Sequence, residues 1–292
     1  MGLHKLTQVR RTLQKKIYKY FCTLTFLLNI GYSQAYLPSL KIPLDTISSH
    51  REFIPELIAA NDSRLVFIDK KNRRLGSYID DSLHVVGGYG SSSHSFIDPV
   101  DIIIDELDII ILDESVGQIS RFDLKMNFIQ RMSLEFDNLV YPTLFEVDSR
   151  KNIYFFSPDD GVLFKSNHST QKIDKFIDYS SISIDQNCLS DIYINNNDQL
   201  GILFDCLNEL HVYGRSGRLQ RKYKVDIESP QKLMFIDRNW SAINSKGQVQ
   251  FINEPVFDLA IEKEDVLDSY FDQKSLFILT KTSIYIFDSS IF

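Results

Sequence analysis

Residues 101–113 read Asp-Ile-Ile-Ile-Asp-Glu-Leu-Asp-Ile-Ile-Ile-Leu-Asp, two runs of three isoleucines with acids between them. Acids inside so apolar a segment have two readings. They are a carboxylate cluster set in a core for metal or catalysis, or they are the turn of a hairpin. Repetition decides between them. Residues 55–69 (PELIAANDSRLVFID) align with residues 99–113 (PVDIIIDELDIIILD): each has a proline, a short approach, a turn near the seventh position, an apolar run and an Asp fourteen after the proline. Further copies begin at Pro142, Ser190, Pro230 and Val266, with successive starts 44, 43, 48, 40 and 36 residues apart. A period near 40 suits propeller blades and some helical solenoids. The contents separate the two, because each unit is a pair of short β-branched or aromatic runs joined by Asn, Asp, Ser or Lys, which is a hairpin pattern. The acids at the centre of the quoted stretch are therefore turn residues. The isoleucine runs are inner strands buried on both faces, so they do not alternate with polar residues.

A third run follows each hairpin, as in Gln118–Leu124 (QISRFDL) and Glu209–Tyr213 (ELHVY), and a fourth often follows that, as in residues 128–134 and 219–225. Four antiparallel strands per unit, six times over, predict an all-β, six-bladed β-propeller. The sixth unit reaches Phe292 directly after its third strand, while residues 36–47 (YLPSLKIPLDTI) are strand-like and belong to no unit. They are expected to supply the missing outer strand of the sixth blade and so close the ring.

The segment Gly87-Gly88-Tyr89-Gly90, then Phe96, Pro99, Ile102-Ile103-Ile104-Asp105, Ile109–Asp113, and Gln118-Ile119 to Phe122-Asp123 resembles an NHL-type repeat. That pattern has a Gly-rich start, a proline, a hairpin, an Asp and a closing Ile-x-x-Phe-Asp. The likeness is closest over residues 87–124, looser over 55–84 and 142–176, and loosest after Ser190; with 12 glycines in the chain, the later units lack the Gly-rich start. The resemblance implies the six-bladed architecture and carries no function, since the fold hosts many unrelated ones.

The first 35 residues differ from the rest. Lys5, Arg10, Arg11, Lys15, Lys16 and Lys19 precede a ten-residue apolar run, residues 21–30 (FCTLTFLLNI), and then small residues that permit a cut after Ser33 or Ala35. The apolar run is about half of what a membrane-spanning helix needs. This order of charge, short apolar run and small residues is a secretory signal peptide over residues 1–35, leaving 36–292 as a single propeller domain. Removing the leader leaves 26 Lys and Arg against 39 Asp and Glu, a net charge near −13. Such a chain is a poor partner for nucleic acid or an anionic membrane. Hydrophobic content of 43% excludes a disordered chain.

Cys188 and Cys206 are the cysteines that survive cleavage. Their midpoint, Asn197, lies in the turn Asn195-Asn196-Asn197-Asp198, so a hairpin centred there sets Cys188 opposite Cys206, within disulfide reach. An exported chain meets an oxidising compartment, and a Cys188–Cys206 disulfide is expected.

The chain has no GxSxG, HExxH or CxxC. Asp69, Asp113 and Asp205 close the second strand of their units, with Ser157, Asn244 and Thr280 at the same position. A ring of such carboxylates on one rim could hold Ca²⁺, whereas the structural reading is that each caps a turn. His84 and His94 flank the longest irregular loop, residues 80–98, which also holds Tyr89. NHL-like zinc lyases, which the resemblance brings to mind, gather several histidines on one rim; here His211 falls in a strand and His168 in an outer turn, so three converging imidazoles, and a zinc site, are not expected. Binding residues favour long loops on a rigid scaffold. The expected binding rim is therefore the face bearing loop 80–98, with Tyr89 and His94 as anchors and His84, Asp69, Asp113 and Asp205 beside them. The reading is of an exported monomeric propeller without catalysis or cofactor that binds a protein or glycan partner. The alternative is a metal-dependent hydrolase or lyase using Ca²⁺ or Zn²⁺.

Overall fold

The computed structural model describes residues 35–47, 53–61, 64–135, 140–167, 172–180 and 188–292. Residues 1–34, which hold all but the last residue of the leader expected over 1–35, and His168 lie outside the described residues. Six four-stranded antiparallel sheets form the blades of a β-propeller. Their first strands are Leu57–Asn61, Pro99–Asp105, Leu144–Val147, Leu189–Ile194, Pro230–Ile236 and Val266–Phe271, in blades 1 to 6. Each begins within two residues of the unit start read from the sequence.

Blade 2 shows why the quoted stretch folds as it does. Ile102 pairs with Ile111, Ile104 with Ile109 and Asp105 with Asp108, leaving Glu106-Leu107 as the tip. Glu106 takes a φ of +55°, as such a two-residue turn requires. Lys151 of blade 3 neutralises the tip, its Nζ lying 2.9 Å from both Asp105 and Glu106. On the second strand, Ile109 and Ile111 pack toward blade 1 with Val66 and Leu75, while Ile110 and Leu112 pack toward blade 3 with Phe145 and Phe155. Both faces are thus core, which explains the unbroken isoleucine runs.

Ring closure follows the expectation with a shorter strand. Leu40–Pro43 is the outer strand of blade 6, pairing Leu40 with Ile286 and Pro43 with Ser283. Residues Leu44–Ile47 form a helical turn instead, with Leu44 and Ile47 buried against Phe53 and Phe277. Tyr36 joins blade 5: its N–H donates to Asp258 O at 3.1 Å and its carbonyl accepts from Ala260 N–H at 2.8 Å.

Cys188 and Cys206 are bonded, with Cα atoms 5.2 Å apart. The register differs from the symmetric hairpin. Leu189 pairs with Phe204, and a bulge lies between Leu189 and Asp191. Cys188 therefore faces Asp205, whose N–H donates to Cys188 O at 2.9 Å, and Cys206 lies one residue further on. A bulge adds a residue to one strand and displaces every pair beyond it.

Candidate functional site

Five of the six first strands have a charged third residue, and four of these, Asp101, Asp191, Lys232 and Asp268, gather around one small space on the axis. The three acids come from alternate blades and act alike. Asp101 accepts from Phe145 N–H at 3.0 Å, Asp191 from Leu233 N–H at 2.7 Å and Asp268 from Ile58 N–H at 2.9 Å. Each carboxylate thereby fastens its blade to the next one. Lys232 reaches into the same ring, 3.2 Å from Asp268 and 3.9 Å from Asp191. Glu146 of blade 3 adds a fourth carboxyl to the wall.

One ammonium cannot balance four carboxylates in a buried site. Burial pushes Asp101 up to about 6 and Asp191 up to about 7, with Lys232 pulling back only part of the way. Burial, reinforced by the charges of Asp101 and Asp191, raises Glu146 well above the carboxylate range. Burial alone would lower Lys232, but Asp268, Asp191 and Asp101 outweigh it and hold the ammonium firmly charged. The space they enclose is about 50 Å³, room for solvent and little else. Below it, Tyr270 of blade 6 reaches to blade 2 and donates to Ile104 O at 3.3 Å. A funnel of about 680 Å³ then opens on the face of the hairpin turns, walled by Tyr193, Tyr270, Glu146 and Asp105 among others. Chemically, the upper axis is a polar plug that fixes the blades.

The residues singled out from the sequence divide into two sets. Asp113 is buried and accepts from Ile97 N–H at 2.7 Å and Asp98 N–H at 2.9 Å; Asp69 is buried and accepts from Ile54 N–H at 3.1 Å and Asn72 N–H at 2.9 Å. Both carboxylates thus hold the loop that enters their own blade. Asp205 is half-buried, within 4.8 Å of both disulfide sulfurs. This is the one grouping of three metal-ligating side chains among the described residues, and its two thiols are joined to each other. His84 lies exposed on the outer strand of blade 1, opposite Ser77. His211 is buried in the third strand of blade 4, its Nε2 2.7 Å from Glu209.

Tyr89 and His94 share loop 88–98. The loop is tied down by Gly90 N–H to Phe96 O at 3.2 Å, Phe96 N–H to Gly88 O at 3.0 Å, and Arg131 to Ser95 O at 2.7 Å. Tyr89 stands 73% exposed above it, its ring 5.0 Å from the Arg73 guanidinium. The exposed His94 imidazole lies 5.9 Å from the Phe122 ring, with Nδ1 2.9 Å from Ser93 Oγ.

The axial charges were missed from the sequence. Their signal was there: the residue two after Pro99, Pro230 and Val266 is Asp101, Lys232 and Asp268, where an inner strand should be apolar.

Neither a family model nor a curated protein matches this sequence. Solved structures do match, and they define the chain as a six-bladed β-propeller. A virginiamycin B lyase from Staphylococcus aureus, solved with quinupristin, aligns with TM-score 0.62 and 10% identity over 85% of this chain and 98% of its own. A streptogramin B lyase aligns with TM-score 0.59 and 12% identity over 85% of this chain and 96% of its own. YCF48 bound to D1 peptide aligns with TM-score 0.57 and 9% identity over 83% of this chain and 81% of its own. At these identities the likeness is one of fold. Among the described residues no helix is long and apolar enough to cross a membrane.

Proposed function

We propose that this protein is an exported, non-enzymatic recognition module that binds a protein or glycan partner through the rim bearing loop 88–98. Tyr89 carries the reading: a large aromatic ring, 73% exposed, raised on a hydrogen-bonded loop and stacked on Arg73. Binding hot spots are rich in Tyr and Arg, and here the two stand together on the rim. Arg73 is itself held by donation from Nε to Ile97 O at 2.6 Å, so little side-chain freedom remains to be lost on binding. Export is supported by the leader pattern of residues 1–35 and by the disulfide, a bond of oxidising compartments. A cut after either Ser33 or Ala35 would leave Tyr36 to dock on blade 5.

The test is the double variant Tyr89→Ala, His94→Ala, immobilised beside the parent and offered a glycan array and an extract from its own compartment. The melting temperature should stay within about 2 °C while retention of the parent's partner is lost. A large loss of stability with retention intact would make the loop a structural plug and overturn the assignment.

A further inference from the structure

We propose that the groove between blades 4 and 5 binds a carboxylate-bearing sugar, such as a uronic or sialic residue of an acidic glycan. The groove lies on the hairpin-turn face, opposite loop 88–98, and stands independently of the rim reading. Its volume is about 630 Å³, inside the range of about 300–1,000 Å³ usual for ligand sites.

The floor is aromatic. Trp240 and Phe235 pack edge to face with centroids 5.0 Å apart, and Tyr223 adds a third ring on the blade 4 side. Gly201 makes room for this arrangement, since a Cβ there would lie 2.5 Å from the Trp240 ring. Such rings suit the C–H faces of a pyranose.

The walls are carboxamides and guanidiniums. Gln199 donates to Gln220 across the blade 4 edge at 2.7 Å, and Asn196 and Asn197 flank them. A carboxamide is both donor and acceptor, as is each sugar hydroxyl. An acidic side chain offers acceptors alone, so a peptide could meet the carboxamide oxygens only with its backbone N–H groups, whereas a sugar meets them with the ring that carries the acid.

Charge selects the acid. The chain has 39 Asp and Glu against 32 Lys and Arg, yet no acid lines this groove and both of its cations are arginines. Arg221 donates to the Tyr223 hydroxyl at 3.2 Å and has no ion pair among the described residues. Arg238 is exposed at the groove lip in the turn Asp237-Arg238, both with positive φ, +47° and +67°. A guanidinium takes a carboxylate through two parallel hydrogen bonds, so two guanidiniums with no ion pair among the described residues, set over an aromatic floor, fit an acidic sugar better than a neutral one.

Trp240 is the single tryptophan of the chain, so its emission reports the groove directly. Trigalacturonate and sialyllactose are the probes, with lactose as the neutral comparator and a short polyglutamate peptide as the acidic non-sugar. At least one acidic sugar should shift the emission saturably, with lactose and the peptide at least tenfold weaker. Arg221→Gln and Arg238→Gly should each weaken that binding tenfold or more at an unchanged melting temperature; glycine is favoured at the Arg238 backbone conformation, so the fold is safe. Tyr89→Ala, His94→Ala should leave it intact. No response to either acidic sugar, equal response to lactose, preference for the peptide, or indifference to the two arginine substitutions would each overturn the proposal.

Discussion

Asp268, in the first strand of blade 6, accepts a buried 2.9 Å hydrogen bond from the backbone N–H of Ile58, in the first strand of blade 1. The two residues lie 210 positions apart, and their bond closes the axial end of the ring. The same geometry recurs between Asp101 and Phe145 and between Asp191 and Leu233.

Asp268→Ala should therefore loosen closure twice over. It leaves a buried N–H without an acceptor and removes the nearest counter-charge of Lys232, 3.2 Å away. Breaking a buried pair costs about 3–5 kcal/mol, a drop in melting temperature of roughly 10 °C for a domain of this size. Asp268→Asn keeps the acceptor and should lose less. Equal melting curves for the alanine variant and the parent would remove the ion pair from the account of stability.

The axial carboxyls predict a pH dependence. Burial holds Asp101 at about 6 and Asp191 at about 7, against about 3.9 in an unfolded chain. A folded-state pKa above the unfolded one means that the fold binds the proton more tightly. Their stabilisation is complete below about pH 4 and disappears as pH rises through 6 and 7. Asp198 works in the other direction. Burial would raise it, but Ser149 and Arg215 bring it below its ordinary value, so its contribution is lost only on strong acidification. The melting temperature should fall between about pH 4 and 7, and the double variant Asp101→Asn, Asp191→Asn should reduce that slope, with Glu146 left to titrate. An unchanged slope in the double variant would place the titration elsewhere.

Deleting residues 36–47 should uncover the third strand of blade 6. Ser283–Asp288 would then present unpaired backbone groups along an apolar edge, a template for association. Size-exclusion chromatography of the truncated protein should show aggregates. A truncated chain that elutes and melts like the parent would show that the strand adds nothing.

Reduction should weaken blade 4. The Cys188–Cys206 bond closes a loop of 18 residues, a constraint worth about 3 kcal/mol. Cys188→Ser, Cys206→Ser should lower the denaturant midpoint accordingly, and alkylation of the unreduced protein without residues 1–35, and so without Cys22, should add no mass. Two alkylated thiols in exported protein would refute the bond.

Blade count, hairpin positions and the closing strand were legible because they rest on local patterns: turn residues, apolar runs and a repeat. The register at Cys188 was not, since a bulge is one inserted residue whose place is set by how the strand meets the axis. The axial plug escaped for a related reason. Asp101 was absorbed into the hairpin reading of its own stretch, and only alignment of the units on that column brings Asp191, Lys232 and Asp268 beside it. The blade 4–5 groove draws on Gln220 and Arg238, which share no motif and meet only through packing. Tyr89 and His94 could be placed on an exposed loop from the sequence because a long loop with an aromatic residue is visible without knowing what surrounds it.

The outer strand of blade 6 has a consequence for biogenesis. Ser39 Oγ donates to Ile286 O across 247 residues of chain, so the first segment of the propeller to be synthesised is paired with the last. At about 5–20 residues per second, the N-terminal strand waits roughly 10–50 s for its partner. During that interval blades 1 to 5 can stack in order while the open edge stays exposed. A holding factor would protect this intermediate, and a slow, late step of ring locking should follow once Ser283–Asp288 has been made.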